Sequence, residues 1–248
     1  MGTPGLPRGA CLVVGAGDGL GASIARAFAR EGYEVIVTRR PRHADQLEAL
    51  AAAIRAEGGK AHAIPLDARE ESEVAALVDN IERDIAPLEI LVFNIGANVR
   101  FSAVETTTRV FTKVWEMACL AGFLTAREAA RVMAPRGRGV ILITGATASL
   151  RGASGFSAFA SAKNGLRAVA QSFARELAPN GVHVAHVVID GAIDGAFTRE
   201  RLADASGRLD RGEILDPEEI ARNYVWLAGQ GRSAWTFELD LRPWTEPW

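Results

Sequence analysis

The sequence predicts a doubly wound α/β fold, with helices on both faces of a mostly parallel sheet, in a single domain spanning residues 1–248. Two observations predict it. Seven short apolar runs alternate with longer stretches of helical periodicity. The runs are apolar throughout, which is typical of strands buried on both faces of a parallel sheet. A chain of this length still fits one hydrophobic core.

The predicted elements follow the chain in order. The apolar runs predict strands at 11–14, 34–38, 61–66, 89–94, 139–144, 181–189 and 237–241. Apolar residues spaced three and four apart predict helices at 20–31, 44–57, 72–85, 125–134, 159–178 and 217–229. Pro179, Asn180 and Gly181 end one of these helices before the sixth strand, because proline and glycine cannot continue a helix there.

Composition favours a small-molecule ligand. The chain has 28 basic and 30 acidic residues, a formal net charge of −2, which gives no electrostatic reason to expect nucleic acid or an anionic membrane as partner. No apolar run approaches a membrane span or a signal peptide, and Cys11 and Cys119 lie in apolar surroundings typical of free thiols. We therefore expect a soluble, cytoplasmic protein.

A glycine-rich loop joins the first predicted strand to the first helix. It reads Gly15-Ala16-Gly17-Asp18-Gly19-Leu20-Gly21. Glycines allow a tight turn and close approach of a ligand, and the amino terminus of the following helix attracts phosphate. In this position the loop favours a nucleotide site of the Rossmann type, or, as a remote alternative, the S-adenosylmethionine site of a methyltransferase.

The end of the second predicted strand favours NADP(H) over NAD(H), which stays an alternative. A site for NAD, like one for adenosylmethionine, needs a carboxylate there, whereas this chain has Arg39, Arg40 and Arg42. Guanidinium groups suit a 2′-phosphate. A solvated basic turn is the alternative, and Asp18 in the glycine loop argues mildly against a nearby phosphate.

These residues and four further segments resemble the short-chain dehydrogenase/reductase family over nearly the whole chain. Gly15, Gly19 and Gly21 match its glycine loop. The other matching segments contain Asp67 followed by Ala68, Asn94 with Gly96, Phe159 with Lys163, and the run Asp190-Gly191-Ala192-Ile193. The resemblance implies that Asp67 contacts adenine, that Lys163 binds the nicotinamide ribose and that the Ile193 backbone holds the nicotinamide amide.

The catalytic positions of that family match less well. The resemblance implies a tetrad of tyrosine, lysine, serine and asparagine, of which only Lys163 is clear. Phe159 replaces the tyrosine that acts as acid or base, and Cys119 stands where the asparagine is expected. Thr144, Thr147 and Ser149 are all candidates for the serine. A benzene ring has no ionisable proton, so ordinary ketone reduction is disfavoured.

The sequence thus predicts an NADP(H)-dependent oxidoreductase with an altered active site, acting on a carbonyl, a conjugated carbonyl or an imine. The alternative is a non-catalytic NADP-binding protein, a sensor or an assembly partner. The resemblance also implies a homodimer or homotetramer, paired through helices that include 125–133 and 159–177, and a segment at 196–213 that closes over substrate.

Two groups of residues favour structural roles. His183 and His186 lie three apart on a predicted strand, hence on opposite faces, so we expect packing and no metal site. Trp235, Trp244 and Trp248 crowd the carboxyl terminus, where they cover either a subunit interface or the core of the monomer.

Overall fold

A seven-stranded, wholly parallel sheet forms the centre of the computed structural model, which describes residues 8–246. Its strands are β1 Arg8–Val14, β2 Tyr33–Thr38, β3 Lys60–Ala63, β4 Leu88–Phe93, β5 Gly139–Thr144, β6 Val182–Ile189 and β7 Glu238–Leu241. The spatial order is β3-β2-β1-β4-β5-β6-β7, and every neighbouring pair is parallel. The predicted doubly wound α/β fold is confirmed.

Helices cover both faces of the sheet. Within the described residues they are α1 Leu20–Arg30, α2 Ala44–Ala56, α3 Glu71–Asn80, α4 Thr108–Trp115, α5 Ala121–Met133, α6 Ser157–Leu177, α7 Ala196–Arg199, α8 Ala205–Asp210 and α9 Pro217–Ala228. Helices α1, α2 and α9 pack on one face, and α3, α5 and α6 on the other. Side chains alternate accordingly along β1, with Cys11 on the first face and Leu12 on the second.

The third strand is shorter than the run 61–66 predicts. The chain continues beside β2 beyond Ala63, since Ile64 N donates to Val37 O at 3.0 Å and Leu66 N to Arg39 O at 2.9 Å. Pro65 lies between these two bonds and has no N–H to donate. Because alternate residues donate to a parallel neighbour, the Pro65 nitrogen faces away from β2, and this edge strand tolerates the proline while pairing continues to Leu66.

Two predicted helices have different bounds in the structure. The helix predicted at 72–85 ends as an α-helix at Asn80 and continues as one π-helical turn, in which Ala86 N donates to Ile81 O at 3.0 Å. The helix predicted at 125–134 begins earlier, at Ala121, and contains Gly122. A Cβ on Gly122 would lie 2.4 Å from Leu166 Cδ1, so this glycine serves close helix packing and does not break the helix.

The carboxyl ends of the parallel strands lie along one edge of the sheet, where ligands bind in open α/β folds. The loops that follow β1, β2, β4, β5 and β6 all meet there. In the described part of the chain, no helix combines the length and apolarity that crossing a membrane requires. Trp248 lies outside the described residues.

Candidate active site

One cavity of about 1110 Å³ extends along this edge of the sheet. Its walls are formed by the glycine loop, the basic turn after β2, the loops after β4 and β5, the face of α6 that carries Phe159 and Lys163, and the segment after β6. The predicted cofactor residues line it: Gly15, Gly17, Asp18, Gly19, Leu20, Arg39, Arg40, Asp67, Ala68, Asn94, Gly96, Lys163 and Ile193. Gly21 stands just behind this wall.

The glycines of the loop are required by close backbone contacts. Gly15 has φ +92°, and a Cβ on it would lie 2.9 Å from the carbonyl carbon of Asn94. A Cβ on Gly21 would lie 2.5 Å from Gly15 O. Asn94 braces the same turn, because its Nδ2 donates to Gly15 O at 3.2 Å. The turn thus brings the amino terminus of α1 to the cavity wall, where its free N–H groups suit an anionic group.

A cluster of basic side chains lines the end of the cavity beside β2. It comprises Arg39, Arg40, Arg42 and His43. Arg39 Nη1 donates to Gln46 Oε1 at 2.9 Å. Burial, and then the neighbouring Arg42, lower the pKa of Arg40. This crowding of like charges fits a bound anion, which would relieve the repulsion between the guanidinium groups.

Asp67 lies at the same end and is paired with Arg69. Asp67 Oδ1 accepts from Arg69 Nε at 2.9 Å, and Oδ2 accepts from Arg69 Nη2 at 2.5 Å. These hydrogen bonds lower the pKa of Asp67. The carboxylate is therefore an ionised acceptor held in a fixed orientation, and Ala68 beside it is buried against the cavity.

Lys163 connects α6 to the ends of two strands. Its side chain is 2% exposed, and Nζ donates to Ile95 O and to Thr144 O, both at 2.9 Å. Burial lowers its pKa to about 8. An ammonium has three donors, so one N–H is left for a ligand in the cavity that Lys163 lines.

Phe159 lies one helical turn before Lys163 and lines the same cavity. Its side chain is 7% exposed and packs in a small apolar cluster with Val114, Ala118 and Ala148. The ring offers this wall an apolar face and no proton. This helix face therefore lines one cavity with both an apolar ring and a buried cation.

The three candidate hydroxyl groups after β5 have different surroundings. Thr144 Oγ1 is hydrogen-bonded to the buried Tyr224 hydroxyl at 2.7 Å. Ser149 is fully buried outside the cavity lining, and its Oγ accepts from Ala146 N at 3.1 Å. Thr147 lines the cavity, and its Oγ1 donates to Asp190 Oδ1. Of these three, Thr147 is the hydroxyl best placed to meet a substrate.

Cys119 lies behind the wall, outside the cavity lining. Its thiol is 4% exposed, and a Cβ on Gly165 would lie 3.0 Å from Sγ. Burial raises the pKa of Cys119, with a smaller opposing effect of Lys163. A neutral, enclosed thiol packs against α6. Cys11 is likewise a buried free thiol, as the sequence predicts.

Two charged residues at the site were not among the sequence-predicted candidates. Asp190, 2% exposed at the end of β6, accepts from Thr147 and lies 3.3 Å from Arg242 Nη2. Arg151 lines the cavity mouth with its Nη2 3.9 Å from Asp190 Oδ2. The available signal for Asp190 was its place in the run 190–193, which resembles a segment of the family. Its partner could not be found from the sequence because Thr147 belongs to a different strand end.

The segment after β6 crosses the cavity opening. Its short helix α7 places Phe197, which is 58% exposed, on the cavity lining. Thr198 Oγ1 donates to Ile193 O at 2.5 Å, and Arg199 pairs with Asp194 at 2.7 Å. These bonds leave the Ile193 N–H, and not its carbonyl, as the group that could contact a ligand.

His183 and His186 lie outside this cavity. His183 stacks on Trp235 with ring centroids 4.9 Å apart, and its Nε2 lies 2.8 Å from Thr236 O. His186 Nδ1 lies 2.9 Å from Glu238 Oε2 on the opposite face of β6. In residues 8–246 no group of three His, Cys, Asp or Glu side chains is arranged to hold a metal ion.

A family model described as short chain dehydrogenase matches residues 10–205. The chain belongs to the short-chain dehydrogenase family. Curated relatives include an uncharacterized oxidoreductase of Bacillus subtilis, 35% identical over 88% of this chain and 90% of its own length. A 3-oxoacyl-[acyl-carrier-protein] reductase of Bos taurus is 30% identical over 88% of this chain and 90% of its own length.

Solved structures of short-chain dehydrogenases have the same fold. One from Rhodopseudomonas palustris is 50% identical, with a TM-score of 0.81, over 96% of this chain and 100% of its own. The actinorhodin polyketide ketoreductase with NADPH is 24% identical, with a TM-score of 0.85, over 95% of this chain and 96% of its own. Membership of this family makes the chain one of a set of oxidoreductases, which disfavours the methyltransferase alternative.

Proposed function

We propose that this short-chain dehydrogenase is an NADP(H)-dependent oxidoreductase with an altered tetrad, transferring hydride to or from a small carbonyl, conjugated carbonyl or imine. One observation carries the proposal. A single cavity joins the basic cluster beside β2 to the wall formed by Phe159 and Lys163. A dinucleotide fits this arrangement, because its phosphorylated end needs cations and its reactive end needs an enclosed wall.

The cofactor end supports NADP(H) over NAD(H). Arg39 and Arg40 line the cavity where a carboxylate for the ribose hydroxyls would otherwise stand. Asp67 offers an ionised acceptor for the adenine amino group, and Gly96 and the loop Gly15–Gly21 allow close backbone approach. A metagenomic short-chain oxidoreductase whose structure contains NADP has the same fold, with a TM-score of 0.78 over 96% of this chain.

Bound nicotinamide would supply or accept the hydride. In the protein itself, Lys163 presents its remaining N–H toward the ribose and places positive charge beside developing negative charge. Phe159 excludes water from the reacting carbon and transfers no proton. Thr144 and Thr147 line the cavity and Ser149 does not, and the Thr144 hydroxyl is already bonded to Tyr224. An acceptor that needs little protonation is therefore favoured over a simple ketone.

The experiment is a titration followed by turnover. Calorimetry with NADPH and NADH measures which cofactor the cavity with its basic cluster prefers, and we expect NADPH to bind more tightly. Oxidation of NADPH is then followed with a simple ketone, an enone and an imine. Binding of NADPH together with turnover of at least one acceptor supports the proposal, whereas binding of neither cofactor contradicts it.

A second function is favoured by one specific observation. The resemblance implies that Phe159 and Cys119 take two positions of the family tetrad, and Phe159 lines the cavity without offering an acid. A non-catalytic NADP-binding protein, a sensor or an assembly partner, would bind NADPH as tightly and turn over none of the acceptors. The titration and the turnover assay together separate the two functions.

We also propose self-association as a homodimer or homotetramer. The support is the resemblance to a family that pairs through the helices equivalent to α5 and α6, together with exposed aromatic side chains on the adjacent α4, Phe111 and Trp115. Light scattering at micromolar concentration is expected to report a dimer or tetramer. A monomer at that concentration contradicts this proposal and leaves the cofactor proposal intact.

A further inference from the structure

The walls around Phe159 contain hydrogen-bond donors, but most are already engaged. Lys163 donates to two backbone carbonyls, Thr144 is bonded to Tyr224, and Thr198 donates to Ile193 O. Arg151 also lines the cavity mouth. A guanidinium does not serve as an acid, because it is not deprotonated in proteins. Among residues 8–246, no tyrosine lines the cavity.

The Thr147 hydroxyl has a defined direction. Its hydrogen points away from the cavity, because Oγ1 donates to Asp190 Oδ1. Asp190 Oδ2 also lies 3.3 Å from Arg242 Nη2, and a carboxylate with this guanidinium neighbour serves Thr147 as a hydrogen-bond acceptor. A hydroxyl has one donor and two lone pairs, so what Thr147 offers the cavity is an acceptor.

An acceptor in this position has a consequence for the substrate. A neutral carbonyl oxygen gains nothing from Thr147, since two lone pairs face each other. A protonated imine gains a hydrogen bond, because its N–H can donate to Oγ1. We propose, on the basis of the proposed hydride-transfer function, that Thr147 oriented by Asp190 selects substrates whose reacting nitrogen bears a proton, so that the protein is an imine reductase acting on iminium ions.

The chemistry balances without a proton donor in the wall. Hydride from NADPH forms a C–H bond at the iminium carbon, and the C=N π electrons become the nitrogen lone pair. The nicotinamide is oxidised, the iminium is reduced to an amine, and the nitrogen keeps the proton that it already carried. Phe159 is therefore adequate where a ketone would need a tyrosine.

The ion pairs beside Thr147 add no net charge that would repel a cationic substrate. Asp190 and Asp240 face Arg151 and Arg242, with Arg242 Nη2 2.5 Å from Asp240 Oδ2, so these four charges cancel in pairs. Lys163 adds one positive charge on the α6 side. Phe159 offers an aromatic ring on the same wall, and aromatic faces attract cations within about 6 Å.

The test compares two iminium probes that differ in the N–H group alone. Dihydroisoquinoline is protonated to an N–H iminium, whereas N-methyl dihydroisoquinolinium is a permanent cation without that donor. Thr147→Val keeps the side-chain shape and removes the acceptor. We expect kcat/KM for dihydroisoquinoline with NADPH to fall about tenfold, the loss of one hydrogen bond, and that for the N-methyl probe to change less than about twofold.

An affinity readout accompanies the turnover. Protein loaded with NADP⁺ transfers no hydride to either probe, so calorimetry measures binding alone. The wild-type protein should prefer the N–H probe, and Thr147→Val should lose that preference. The control variant is Thr125→Val, which removes a buried hydroxyl bonded to Ala121 O at 2.9 Å outside the cavity lining and should leave both preferences unchanged.

The outcomes separate this inference from the proposed function. Equal losses for both probes in Thr147→Val overturn it, because Thr147 then acts by shape or through the fold. Faster wild-type reduction of tetralone than of dihydroisoquinoline also overturns it, and leaves the oxidoreductase proposal standing with the Lys163 ammonium as the acid. No turnover of any probe by NADPH-bound protein overturns the proposed function itself.

Discussion

The burial of Lys163 makes a quantitative prediction about stability. Its pKa in the folded protein is about 8, against 10.5 for an unburied lysine. At about 1.36 kcal/mol per pKa unit, this lowering of the pKa corresponds to on the order of 3 kcal/mol. The folded state favours the neutral amine, so the unfolded chain binds more protons between these two pKa values. Stability attributable to Lys163 therefore rises with pH in this window.

The perturbation is Lys163→Met, which removes the titrating group and keeps an unbranched side chain. The loss of two hydrogen bonds to Ile95 O and Thr144 O adds a constant offset at every pH. The difference in unfolding free energy between wild type and variant should be flat below pH 7. Between pH 7 and pH 9 it should move by on the order of 1 kcal/mol in favour of the wild type.

Urea unfolding of the cofactor-free proteins at several pH values measures this difference. Lys60→Met is the matched control, because the Lys60 side chain is 72% exposed and should give no such pH dependence. A wild-type minus Lys163→Met difference that stays flat from pH 7 to pH 9 refutes the reasoning. Lys163 would then be hydrated in the folded protein, and the proposal that it binds the ribose would be wrong.

Three further predictions concern the cavity. Arg39→Ala combined with Arg40→Ala should weaken NADPH binding by on the order of 100-fold and leave NADH binding nearly unchanged, as measured by calorimetry; equal losses contradict the phosphate assignment. Phe159→Tyr should gain or strongly increase reduction of simple ketones in steady-state assays, since Lys163 can lower the pKa of the new phenol; unchanged ketone turnover places Phe159 away from the chemistry. Gly15→Ala should destabilise the protein by more than Gly58→Ala does in thermal unfolding: both glycines have positive φ, +92° and +89°, but no atom lies within 4 Å of a Cβ on Gly58. Equal effects would mean that the contact with Asn94 is unimportant.

Local sequence signals were sufficient for the fold. Strands buried on both faces carry continuous apolar runs, and glycine loops depend on conformations that few other residues adopt. Both signals lie within one segment, so the sheet and the loop from Gly15 to Gly21 could be predicted. The regular third strand covers only Lys60–Ala63, but Ile64 and Leu66 still donate to β2, so pairing extends through the predicted run 61–66.

The sequence could not predict which of the three candidate hydroxyl groups is free to face the cavity. Thr144, Thr147 and Ser149 are equally good candidates in the sequence. What distinguishes them is the hydrogen-bond partner of each hydroxyl group. Tyr224 engages the first, Asp190 the second, and a tight turn at Ala146 the third. These contacts depend on the parallel pairing of β5 with β6 and on the packing of α9, which no local pattern encodes.

The central claim is hydride transfer by a nucleotide-binding fold that lacks the phenol of its family. NADPH carrying deuterium at the transferring carbon of the nicotinamide tests it most directly, with mass spectrometry of the product after a single turnover with dihydroisoquinoline, an enone or tetralone. The account predicts one deuterium in the amine formed from dihydroisoquinoline, and more product from it than from tetralone. NADPH that binds at the basic end but delivers deuterium to none of the three acceptors would contradict it.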